Sequence, residues 1–150
     1  MSFLNSVWQN EGVTLSRILA LVAASTLVIG LSLKAQSSTR DGVYTPDQAE
    51  RGKTAYNKEC AACHSETLDG GGQAPPLAGA DFVGNWAGQP LAELFDKMQS
   101  SMPADKPGQL SRSTNADILA YLLSASKFPP GKAELPAVAD SLKKIRVEKP

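Results

Sequence analysis

One histidine, two cysteines and three methionines are the whole supply of imidazole and sulfur metal ligands in this 150-residue chain. A structural zinc site draws on four Cys or His side chains, so that class is excluded. Neither sign of charge is in excess: 15 basic residues balance 15 acidic ones. A nucleic-acid binder needs a basic surplus, which is missing. Strand signals are weak, no internal repeat is visible, and no apolar run reaches the roughly 20 residues that cross a bilayer. The longest charge-free run, Ile18 to Leu33 behind Arg17, has 16 residues. It suits the apolar region of a secretory signal. Residues 1–35 are therefore read as a signal peptide cleaved after Ala35. Leu33 stands where a small residue is preferred, which keeps an uncleaved N-terminal membrane anchor as the alternative.

The length allows one domain and an appendage, and hence one site. Charge is unevenly spread. Residues 36–126 carry 7 basic against 11 acidic side chains, and residues 127–150 carry 6 against 3. An acidic body with a basic tail follows.

Residues 36–44 are polar and aperiodic, which reads as a linker. The folded domain is expected over 45–128. Thr45 is a good N-cap, Pro46 suits the first helical position, and Asp47 and Glu50 favour the positive end of a helix running to about Cys60. Ala49, Gly52, Ala55 and Tyr56 share one side of it. Residues 67–85 are rich in Gly and Pro and read as loop; Gly70, Gly71 and Gly72 lack the Lys-Ser/Thr ending of a phosphate-binding loop. A second helix is expected over 90–100, with Leu91, Leu94, Phe95 and Met98 as an apolar stripe. A third is expected from 113 or 114 to 125. Pro129, Pro130 and Gly131 end the domain and open a basic extension, 129–150. Val138, Leu142 and Ile145 fall at helical spacing in it, as a docked strap or a partner-binding element.

The chemistry concentrates in Cys60-Ala61-Ala62-Cys63-His64. Cys-x-x-Cys-His is the attachment pattern of c-type haem, in which two thiols bond the vinyl groups and the adjacent imidazole reaches the iron. A thioredoxin-like redox pair would need alternating strands and helices. A plain disulfide leaves His64 and the glycine-rich loop unexplained. A catalytic cysteine with His64 as its base lacks an orienting partner. With one imidazole in the chain, the sixth position falls to Met, Lys or water, or stays open. Met98 continues the apolar stripe and reads as core. Met102 precedes Pro103, which pushes it toward extended backbone and out of the helix, so Met102 is the expected ligand.

Those residues, with Gly52 and Tyr56 before them, Ala74-Pro75-Pro76-Leu77-Ala78-Gly79 and Met102-Pro103 after them, and Asp117 to Leu122 in the last helix, resemble class I cytochromes c. Within that family the chain is similar to the small haem domains associated with bacterial quinoprotein dehydrogenases. The resemblance covers about residues 44–131. It implies an all-α fold of three main helices with Gly/Pro-rich loops around one covalent haem c. It implies that the first and last helices cross at Gly52 and Tyr121. It implies that Pro75 offers its carbonyl to the His64 ring, and that Leu77, Phe82 and Trp86 line the pocket, with Trp86 a donor to a propionate. The lysine-rich face of mitochondrial-type members is absent, which argues against docking on an acidic oxidase surface of that kind.

The expected function is one-electron transfer in the bacterial periplasm by a monohaem carrier, free or tethered by its N-terminus. Its redox partners would be a dehydrogenase as donor and an oxidase or another cytochrome as acceptor. The alternative is a dedicated cytochrome subunit of a quinoprotein dehydrogenase. A haem enzyme or gas sensor with an open iron ranks below both, because the short loops leave no separate substrate pocket. Partner contact is expected at Ala61, Ala62 and the loops at Gly72 and Met102, and the acidic body favours a basic partner.

Overall fold

The computed structural model describes residues 37–150; the proposed export segment and its cleavage point lie outside the described residues. Helix α1, Pro46–Glu59, begins as its sequence dictates. The Thr45 hydroxyl accepts from Gln48 N at 3.2 Å, and Pro46 occupies the first turn, where a missing N–H costs nothing. Cys60 breaks the helix, and a four-residue helix, α2 (Ala61–His64), follows.

Helix α5, Arg112–Ala125, starts at Ser111, whose hydroxyl accepts from Thr114 N at 3.0 Å. It buries Ala116, Ile118, Leu119, Ala120, Leu122 and Leu123. Helices α1 and α5 cross at Gly52, where a Cβ would lie 1.8 Å from Asp117 O and 3.0 Å from Tyr121 Cβ. Only glycine permits that approach. The rings of Tyr56 and Tyr121 then meet at 5.4 Å, tilted by 55°. Helix α4, Leu91–Ser101, turns Leu91, Leu94, Phe95 and Met98 into the same core.

The expected loop 67–85 holds a further helix, α3 (Gly79–Trp86). Its first residue is a glycine at φ +80°, and it has no side-chain cap, so local signals are poor. Burial of Phe82 and Val83 holds it instead, as tertiary packing does for most short helices.

The expected linker 36–44 is built structure from Ser37 onward. Ser37–Ser38 form a short strand, β1, and Ser38 and Asp41 close a capping box over the turn Thr39–Asp41. Thr39 is fully buried, and the Tyr44 hydroxyl donates to Phe128 O at 2.6 Å. The expected extension 129–150 is a strap docked on the domain. It contains a single helical turn, α6 (Ala139–Leu142), and a strand, β2 (Ile145–Arg146), that pairs in parallel with β1. Gly131 N bonds Tyr44 O, Gln48 and Leu135 exchange two bonds of 3.0 and 2.7 Å, and Val147 N bonds Gln89 O. Leu135, Leu142, Ile145 and Val147 are buried, whereas Val138 stands exposed outside the stripe. Partners 58 or more residues apart make these contacts, so neither segment shows itself through local periodicity.

Candidate functional site

Helix α1 carries Tyr56 to the core side four residues ahead of Cys60. Its phenol is fully buried and donates to Ser65 O at 2.6 Å, with His64 O at 3.3 Å. Burial pushes that phenol up to about 12, so it remains a neutral donor. Tyr56 thereby fixes the end of α2, where Ser65 takes φ +69°.

From there the chain folds back on itself. Gly70 N donates to His64 O, Gly71 and Ala74 exchange backbone bonds, and Leu77 N donates to Leu68 O. At Gly70, φ +78°, a Cβ would sit 2.4 Å from Ala74 O. The result brings Pro75 O to 2.9 Å from His64 Nδ1. A carbonyl can only accept, so Nδ1 carries the proton and the lone pair stays on Nε2. The imidazole is nearly buried, at 8 % exposure. One nitrogen is thus fixed by the carbonyl, and the other is left with its lone pair free.

Cys60 and Cys63 are unpaired thiols. Cys60 is half-buried, and desolvation, helped by Glu59 and Cys63, pushes its thiol up to about 11. A reactive redox pair works through a depressed thiol, so this environment is unlike one. Cys63, Ala62, Gly71 and Gly72 are exposed and form a face of small residues beside the buried imidazole. Two neighbouring thiols and one oriented imidazole are the donor set that suits a covalently held haem.

Met98 lies in the core with Leu91, Leu94 and Phe95. Met102 is the C-cap of α4, extended at φ −126°, ψ 148°, and half-buried at the start of loop 102–111. Phe82 is buried and Leu77 half-buried against the core. Trp86 is half-buried against the core and borders a shallow groove with Gln89, Glu93, Asp96, Lys97 and Ser100; its indole N–H makes no hydrogen bond among the described residues. Two buried amides, Gln48 and Asn115, escape a reading by periodicity, although each is a polar residue on an otherwise apolar helix face.

Residues 47–122, half of the chain, match the family model described as cytochrome c oxidase, cbb3-type, subunit III. A curated relative, photosystem II extrinsic protein V of Porphyra purpurea, is 37% identical over 59 residues, covering 35% of this chain and 36% of its own. The chain therefore spans about a third of the length of that relative. The solved sulfane dehydrogenase SoxCD from Paracoccus pantotrophus is similar over 71% of this chain and 61% of that one, with 20% identity and a TM-score of 0.49. The helix crossing at Gly52, the oriented His64 beside two thiols and the family match agree: the chain belongs to the family of cytochrome c oxidase, cbb3-type, subunit III, and is a class I c-type cytochrome, a haem protein of electron transfer.

Proposed function

We propose that the chain is a monohaem cytochrome, exported to the bacterial periplasm, that passes single electrons from a dehydrogenase to an oxidase or another cytochrome. The observation that carries this reading is the His64 Nδ1 to Pro75 O bond, which leaves Nε2 free beside two unpaired thiols. Cys60 and Cys63 would hold haem c through thioethers, and His64 and Met102 would be the iron ligands. Bound there, the haem supplies a one-electron couple between ferric and ferrous iron. Pro75 keeps the imidazole in one tautomer and orientation. Leu77 and Phe82 exclude water, and Trp86 donates its free N–H to a propionate. Ala62, Gly71 and Gly72 let a partner approach closely, since nothing bulky stands over the thioether side.

Export is supported by the charge-free run of 16 residues ahead of the attachment motif. No helix among the described residues is long and apolar enough to cross a membrane. Intact mass of the purified protein tests attachment and cleavage together. The expected mass is that of a chain without residues 1–35 carrying one added haem. A full-length mass retaining that haem marks an uncleaved anchor, and freely alkylated Cys60 and Cys63 contradict the site. Co-purification from soluble and membrane fractions separates a free carrier from a dedicated subunit of a quinoprotein dehydrogenase.

A further inference from the structure

We propose that Gln99 and Asn115 are positioning residues for the sixth ligand: the amide pair that closes loop 102–111 sets how firmly Met102 stays on the iron. This rests on the reading of Met102 as that ligand. Within the loop the backbone bonds are local, Lys106 N to Pro103 O at 3.0 Å and Gln109 N to Lys106 O at 3.3 Å. Besides the packing of Leu110 against the core, the hydrogen-bonded tie from loop to helices is made by Gln99, one turn before Met102 on α4. Its Nε2 donates to Leu110 O at 3.1 Å, on the far limb of the loop. Its Oε1 accepts from Asn115 Nδ2 at 3.0 Å, and Asn115 is 2 % exposed on α5.

A carboxamide at that depth is tolerated only when bonded, so the pair is either closed or costly. The geometry joins three elements: the last turn of α4, the first turn of α5, and the return limb of the loop that begins at Met102. Swinging Met102 away from the iron requires the loop to move, and the Gln99 to Leu110 bond resists it. Release of Met102 and opening of this bond are thus one equilibrium. A ligand that needs the vacated position, such as added imidazole, binds with an apparent affinity proportional to the open fraction. Weakening the clamp therefore tightens imidazole binding even where the closed form keeps its spectrum.

The experiment is an imidazole titration of the ferric, haem-loaded protein at neutral pH, followed by the far-red sulfur-to-iron absorption. Gln99→Leu removes both bonds at similar volume, and Asn115→Ala leaves Gln99 unbraced; if one fails to load haem, the other carries the test. Each is expected to bind imidazole about tenfold more tightly than the unaltered protein, as loss of a buried hydrogen bond implies. Gln48→Leu removes a buried amide pair of the same kind at the strap, and it should lower thermal stability without moving imidazole affinity. The inference is overturned if Gln99→Leu and Asn115→Ala bind imidazole as the unaltered protein does, or if Gln48→Leu shifts affinity as far as they do. Met102→Ala, run in parallel, separates the two readings. A far-red band that survives it removes Met102 as ligand and the inference with it. A band lost in Met102→Ala, with affinity unmoved in the amide variants, removes the inference alone.

Discussion

On the His64 side, the segment 64–77 is closed by its own backbone bonds, by a buried phenol from α1 and by a carbonyl on the imidazole; on the Met102 side, loop 102–111 is held by its two helical ends, the packing of Leu110 and one amide pair. The first region needs nothing distant beyond Tyr56, and its side chain of interest is nearly buried. The second borrows its rigidity from residues up to 13 positions away from Met102, and its side chain is half-exposed. If His64 and Met102 hold the iron as proposed, the imidazole would be the fixed ligand and the thioether the one that can leave. Such a division would suit electron transfer, because the attachment side would keep the cofactor in place while the other ligand would tune its potential.

The largest effect should come from the frame that both regions share. Gly52→Val puts side-chain atoms where Asp117 O already stands, forces α1 from α5 and should cost about 3 kcal/mol or more in denaturant unfolding. Both sides of the site should loosen together. Tyr56→Phe breaks the comparison on one side only. It keeps the ring against Tyr121 and removes the phenol's bond to Ser65 O, which still accepts from Leu68 N, and it should cost ~1.5 kcal/mol by the same measurement while leaving the far-red band in place. A loss of that band in Tyr56→Phe would show that the two regions are not independent.

Gln48→Leu should free the strap at Leu135 with a smaller loss, ~1 kcal/mol, because the apolar contacts of Leu142, Ile145 and Val147 remain. Faster amide exchange over 132–137, with unchanged exchange over 64–77, is the expected pattern. The smallest effect belongs to Arg51→Ala. Arg51 pairs with Asp117 at 3.1 Å and with Glu134 at 2.8 Å, and its hydrogen bonds to them hold its pKa above the usual range. Arg51 and Glu134 are exposed and Asp117 is half-buried, so the change in melting temperature should be slight and should shrink in high salt.

The same contrast governs what the amino-acid sequence discloses. Thr45 with Pro46, and the serine and threonine cluster at Ser111 to Thr114, announce α1 and α5 because capping is settled within four residues. Cys60 to His64 announces its chemistry for the same reason. Met98 and Met102 separate on local grounds too, one within an apolar stripe and one before a proline. Helix α3 has no such signal, since core contacts of Phe82, Val83 and Trp86 anchor it instead of a cap. Residues 37–44 and 129–150 look like linker and tail because Thr39, Tyr44 and Gln48 find their partners at Glu148, Phe128 and Leu135, across most of the domain. Gln99 and Asn115 are invisible alone, because neither amide means anything until the loop between them has closed.

The central claim, that Met102 and not Met98 is the releasable ligand opposite a fixed His64, is tested most directly by the far-red absorption of the oxidised protein in two variants. The account predicts that Met102→Ala abolishes the band, lowers the potential and opens the iron to carbon monoxide after reduction, while Met98→Leu keeps the band with a modest loss of stability. A band lost in Met98→Leu and kept in Met102→Ala would contradict it.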